Sequence, residues 1–178
     1  MINLVSAILL ILFAAFSRLM PHPANFAPVA AIALFSAVHL NNKKLAFIVP
    51  LAAMLISNLF LGFYAGMEWV YGAFAVIVLV GYWLKGRMEN SKGGKKLAYL
   101  FGTTAAASII FFIISNFGVW MTGTMYALTF DGLVLCYTMA IPFYRNSLAG
   151  DLFYVTVMFG IYALVTRYAK TPVLVKNK

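Results

Sequence analysis

Arg18-Leu-Met-Pro21-His22-Pro23-Ala-Asn25-Phe-Ala-Pro28 is the first polar interruption in a strongly apolar chain. Pro21 and Pro23 fix their own φ and push Met20 and His22 toward extended backbone, so no helix runs through this stretch. The apolar segments on either side, 4–16 and 26–40, would reach only about 20–22 Å as helices, against a hydrocarbon core of about 30 Å. The loop between them is therefore expected below headgroup level, where polar groups need partners. Two readings stand open. The stretch is either a hairpin loop whose prolines only stop a helix, or one wall of a binding site carrying Arg18, His22 and Asn25.

The rest of the chain favours a bilayer. Of 178 residues, 64% are hydrophobic and 10% charged, with mean hydropathy +0.95. A soluble domain of this length needs far more polar surface, so the composition predicts an integral, all-α membrane protein with one domain over 1–178. The net charge of +9 would suggest nucleic acid in a soluble protein; here it reports topology, and no nucleic-acid partner is expected. A single cysteine, Cys136, excludes an internal disulfide and offers no metal-site spacing. Residues 4–16 resemble the core of a signal peptide. Met1-Ile-Asn-Leu4 carries no basic residue, however, so a retained first helix is expected.

Hydropathy predicts a six-transmembrane-helix bundle with spans at about 2–17, 26–40, 45–62, 67–84, 97–117 and 147–168. The short Asn41-Asn42-Lys43-Lys44 connection makes the second and third helices antiparallel neighbours. Pro50 falls inside the third and should kink it. On one side of such a bundle lie Lys43, Lys44, Lys85, Arg87, Lys92, Lys95, Lys96, Arg167, Lys170, Lys176 and Lys178. The other side has only Arg18 and Arg145. By the positive-inside rule this places both termini in the cytoplasm, in the cell (inner) membrane. Trp69 and Trp120 then fall at the outer interface, Trp83 and Tyr99 at the inner one. Asp131-Gly132 followed by apolar residues reads as a short outer-surface or re-entrant helix near 131–141, with Asp131 as N-cap.

This orientation gathers the polar side chains in the outer half. Ile56-Ser-Asn58 and Ile114-Ser-Asn116 rhyme at the ends of the third and fifth helices, so Asn58 and Asn116 are expected at similar depth. Arg145, Asn146 and Asp151 open the sixth helix, with Asn146 or Ser147 as N-cap. Asp151, about a turn inside the apolar span, should be paired or protonated; Arg18 and Arg145 are the candidate partners. Trp120 and Tyr126 are placed to stack on a solute or close over it. Asparagines at helix ends also bond local carbonyls, and Asp151 also serves as a structural carboxylate, so each residue keeps a purely structural alternative. Ala27, Ala31, Ala33 and Ala37 on the second helix permit close helix packing, within the bundle or against a partner membrane protein.

The motifs Arg18-Leu-x-Pro-His-Pro-x-Asn-Phe-x-Pro28, Ser57-Asn58-Leu-Phe-Leu-Gly62, Cys136-Tyr-x-x-Ala-Ile-Pro-Phe143 and Asn146-Ser-Leu-x-Gly-Asp151 resemble a family of bacterial membrane transport proteins of uncharacterised function. That family is itself similar to the S components, the substrate-binding subunits of energy-coupling factor vitamin transporters. The resemblance implies an S-component-like bundle with a pocket on the outer side. It also implies an energy-coupling membrane module as a partner, met through small residues such as those of the second helix. The expectation is a non-enzymatic transport protein that captures a small, vitamin-like solute. Its site comprises Arg18, His22, Asn25, Asn58, Asn116, Trp120, Tyr126, Arg145, Asn146 and Asp151, without metal or cofactor. Two rivals are an intramembrane enzyme using His22 and Asp151 as acid and base, and a ligand-free assembly protein. His39 lies toward the inside, remote from His22.

Overall fold

A computed structural model describes residues 4–169. Six helices follow one another: α1 (Leu4–Leu19), α2 (Val29–His39), α3 (Lys43–Leu61), α4 (Met67–Glu89), α5 (Gly93–Met121) and α6 (Phe130–Ala169). The described residues contain no strand, and α3 to α6 are long and apolar enough to cross a membrane. The chain ends, with Lys170, Lys176 and Lys178, lie outside the described residues.

The bundle is built around its shortest helix. α2 packs against all five others, which follow one another around it in the order α1, α3, α4, α5, α6. Phe13 of α1 meets Tyr154 of α6 edge-on at 6.5 Å, bringing the last helix back toward the first. Large apolar side chains such as Leu12, Leu55, Leu79, Ile113 and Val165 stand exposed on the outer helices, and α2 exposes none. Inside, alanines dominate. Small side chains let backbones approach closely, the mode by which helices associate in lipid. Gly81 of α4 marks the tightest such approach to α2: a Cβ there would lie 2.6 Å from that of Ala37.

Pro50 does lie within α3, buried. Asn42 begins that helix, its Oδ1 accepting from the Lys44 and Leu45 N–H groups at 2.9 and 3.4 Å.

Two expectations change. The segment 131–141 is no separate helix; it is the first part of a continuous 40-residue α6 with Pro142 inside. The C-terminal half of α5 gives this part a packing face. Tyr137 donates to the Ile113 carbonyl at 2.7 Å, and Phe112 packs against both Tyr137 and Tyr144. A proline is tolerated where neighbouring helices compensate the lost bond. Asp131 accordingly is not the N-cap; the Thr129 hydroxyl accepts the Gly132 N–H at 3.1 Å. Asn146 and Ser147 likewise sit within the helix rather than capping it. The second change concerns α2. Ala31, Ala33 and Ala37 are fully buried by this chain's own helices, so they present no surface to an energy-coupling module.

Candidate functional site

α2 is 11 residues long, about 16 Å, and stops short of the ring's height. Above its first residues the ring leaves a half-open cavity of about 250 Å³. Every helix and two loops contribute to its wall. Arg18 comes from the end of α1, Val29 and Ala30 from the start of α2, Met54 from α3, and Val70 and Phe74 from the start of α4. Ser115, Asn116 and Val119 come from the end of α5, and Phe143, Ser147 and Asp151 from α6. Asn25 and Tyr64 reach in from the 20–28 and 62–66 loops. The cavity lies at the lysine-poor end of the bundle.

Arg18 forms one pole. Its Nη1 donates to the Asn58 Oδ1 at 3.2 Å, to the Ser57 hydroxyl, and more weakly to the Met54 carbonyl at 3.5 Å. Asn58 in turn donates through Nδ2 to the Tyr71 hydroxyl at 3.3 Å. Asn58 is thus buried behind the arginine as its support and does not line the cavity. Tyr64 stands nearby. Burial pushes its phenol above the ordinary value, with Arg18 pulling the other way, so it remains a neutral hydroxyl.

Asp151 forms the other pole. It is 3% exposed, and its Oδ2 accepts from Ser108 of α5 at 2.6 Å. Neither Arg18 nor Arg145 pairs with it among the described residues, contrary to the expected ion pair; the geometry of the α5–α6 contact supplies a hydroxyl instead. Ser108 stands in a run of small residues, Thr103-Thr-Ala-Ala-Ala-Ser108, which reads in sequence only as packing. Phe74 and Phe111, both in the lining, stack at 5.2 Å and give the wall an apolar patch.

The loop that opens the sequence is a wall, but not through its histidine. Phe26 donates its N–H to the Pro23 carbonyl at 2.9 Å, closing a turn in which Asn25 takes φ of 63°. That left-handed conformation suits asparagine better than most residues. Asn146 Nδ2 donates to the Ala24 carbonyl at 3.0 Å, pinning the loop to α6. The His22 ring nitrogen meets only the Pro23 carbonyl, at 2.8 Å, and the ring lies off the cavity, out of reach of Asn58, Asn116 and Asp151.

Of the ten expected site residues, Arg18, Asn25, Asn116 and Asp151 converge on the cavity. Asn58 and Asn146 support it from behind. Asn116 donates through Nδ2 to the Phe112 carbonyl at 2.7 Å, so the Asn58–Asn116 rhyme hides two different roles. Trp120 donates to the Ala127 carbonyl at 3.0 Å, holding the α5–α6 connection rather than covering the cavity. Tyr126 and Arg145 also stand outside the lining. Ser57, Tyr64, Tyr71, Ser108 and Ser147 are parts of the site that sequence reading missed. Ser57, inside the Ser57-Asn58 motif, and Ser147, inside the Asn146-to-Asp151 motif, carried a signal; the other three carried none.

A second, larger space of about 430 Å³ lies at the lysine-rich end, among His39, Lys96, Phe159 and Tyr162. His39 is enclosed by the rings of Phe35, Phe159 and Tyr162 at 4.0–4.9 Å and is far from His22, as expected. Among the described residues no group of three or more His, Cys, Asp or Glu is placed to hold a metal ion. No curated protein and no solved structure matches the chain. A family model matches residues 1–174, and by that match the chain belongs to the family of unknown function DUF6580.

Proposed function

We propose that this protein is a membrane transport protein that captures a small, vitamin-like solute from the outer side of the cell (inner) membrane, in the manner of an S component. One observation carries the reading: a ring of apolar helices leaves, at its lysine-poor end, a half-open cavity lined by Arg18, Asn116 and Asp151. Buried charges at bilayer depth are costly, and they mark substrate paths more often than scaffolding. The basic residues crowd the opposite end, and by the positive-inside rule this supports an outward cavity and cytoplasmic termini. In this reading all six helices lie in the membrane, with α2 held within it by its neighbours. An energy-coupling module, if the protein works with one, docks elsewhere than on the buried alanines of α2. The enzyme reading loses its acid–base pair, because His22 does not reach Asp151.

The test is a thermal-shift and calorimetric screen of the detergent-purified chain against a metabolite library. A saturable ligand that protects a cysteine placed at Ser115 from thiol reagents supports the reading. A folded protein that binds nothing in the library leaves the ligand-free assembly role in its place.

A further inference from the structure

The cavity is lined by two ionisable groups, Arg18 and Asp151, to which nothing else in the described structure supplies a counter-charge. Arg18 is half-buried, and all its partners are neutral oxygens: Met54, Ser57 and Asn58. All three bonds go to Nη1, and a guanidinium has five donors on three nitrogens, so Nη2 and Nε remain for something else. Asp151 is almost fully buried, and its only partner is the Ser108 hydroxyl on Oδ2. Its Oδ1 takes no hydrogen bond, yet it is not among the sealed, unpaired polar atoms. Asp151 itself lines the cavity. Removing charges from water without counter-charges is strongly unfavourable. A simple anion meeting Arg18 would be repelled by an ionised Asp151 and leave it uncompensated, whereas a cationic group beside Asp151 holds the carboxylate ionised; a simple cation would leave Arg18 without a counter-charge.

Resting on the solute-capture reading, we propose that the cavity takes a zwitterion, whose anionic group meets the free edge of Arg18 and whose cationic group meets Asp151. The stacked Phe74 and Phe111 rings supply an apolar wall for the body of the solute. Size sets a further limit. A dry cavity of about 150 Å³ accommodates benzene, so this one of about 250 Å³ suits roughly ten non-hydrogen atoms. That is the scale of a single amino acid or a small betaine.

The test uses the detergent-purified full chain and calorimetric binding. The probes are the L-α-amino acids and glycine betaine, with the amide (cation only) and N-acetyl (anion only) analogue of each amino acid that binds. The expected result is at least one zwitterion bound ten-fold or more tighter than both of its singly charged analogues. Arg18→Gln should remove that preference over the amide, and Asp151→Asn that over the N-acetyl form; Arg18→Lys should restore part of it. The comparison of analogues on the unaltered protein needs no variant to fold. Equal or better binding of a singly charged analogue overturns the zwitterion assignment. So does a complete lack of binding across the panel. The two readings separate in the metabolite screen: a hit lacking one of the charges leaves solute capture standing without the zwitterion, and no hit removes both.

Discussion

At Asp151 a carboxylate within an apolar helix has a hydroxyl for its partner and a cavity for its outlook. Asp151→Asn retains the shape and an oxygen able to accept from Ser108, and removes only the charge. Thermal stability in detergent should change little. Affinity for the captured solute should fall by about 1.5–3 kcal/mol, roughly 10- to 150-fold, as for other charged hydrogen bonds. Unchanged affinity in the folded variant would take Asp151 out of the site. Asn25 offers a conformational test, because its φ of 63° disfavours residues with bulky branched side chains. Asn25→Val should cost about 1–2 kcal/mol, while Asn25→Gly should be nearly neutral, read as a pair of melting temperatures. The sequence announced these residues unevenly. An aspartate in an apolar run and an arginine before Pro-His-Pro stand out against their surroundings. Ser108 and Tyr64 do not, since hydroxyls cost little in helices and only the three-dimensional neighbour reveals what they hold. His22 misled for the opposite reason: a rare residue between two prolines draws notice, while the turn that those prolines build directs its ring away from the cavity.

Among the elements, α6 was the least legible. Pro142 and the polar Arg145-Asn146-Ser147 cluster look like a helix boundary, yet the helix passes through them because α5 runs alongside. Proline rules describe the chain alone, and a neighbouring helix can override them. The reverse holds for α2 and α3, where the short connection between packed neighbours and the place of Pro50 inside the third helix read correctly because their determinants are local. The α2–α4 contact is testable through Gly81. A Cβ there would stand 2.6 Å from that of Ala37, a neighbour that cannot rotate away. Gly81→Ala gains about 1 kcal/mol of helix propensity, and forcing the helices apart costs about 1–3 kcal/mol. The net result should be destabilisation, seen as a lower melting temperature. Gly86→Ala on the same helix, with open space around it, should show only the gain.

For the whole molecule, the charge asymmetry predicts that accessible cysteines placed at Lys92 and at Tyr126 are labelled from opposite sides of the membrane in intact cells, Lys92 from within. Labelling of both from one side would remove the outward cavity along with the topology. Composition made the helical, lipid-facing character of the chain plain, but not which helix stands in the middle. Hydropathy registers how apolar a segment is and says little about whether lipid or protein surrounds it. That central position bears on how the protein is made. At about 16 Å, α2 is too short to cross a hydrocarbon core of about 30 Å by itself, and it emerges from the ribosome before four of the helices that surround it. In the proposed six-helix membrane arrangement its depth is acquired late, when α4 to α6 arrive and close over it. In a nascent chain halted after Leu61, a cysteine at Ala37 should therefore react with a water-soluble maleimide, and become protected once Ala169 has been synthesised.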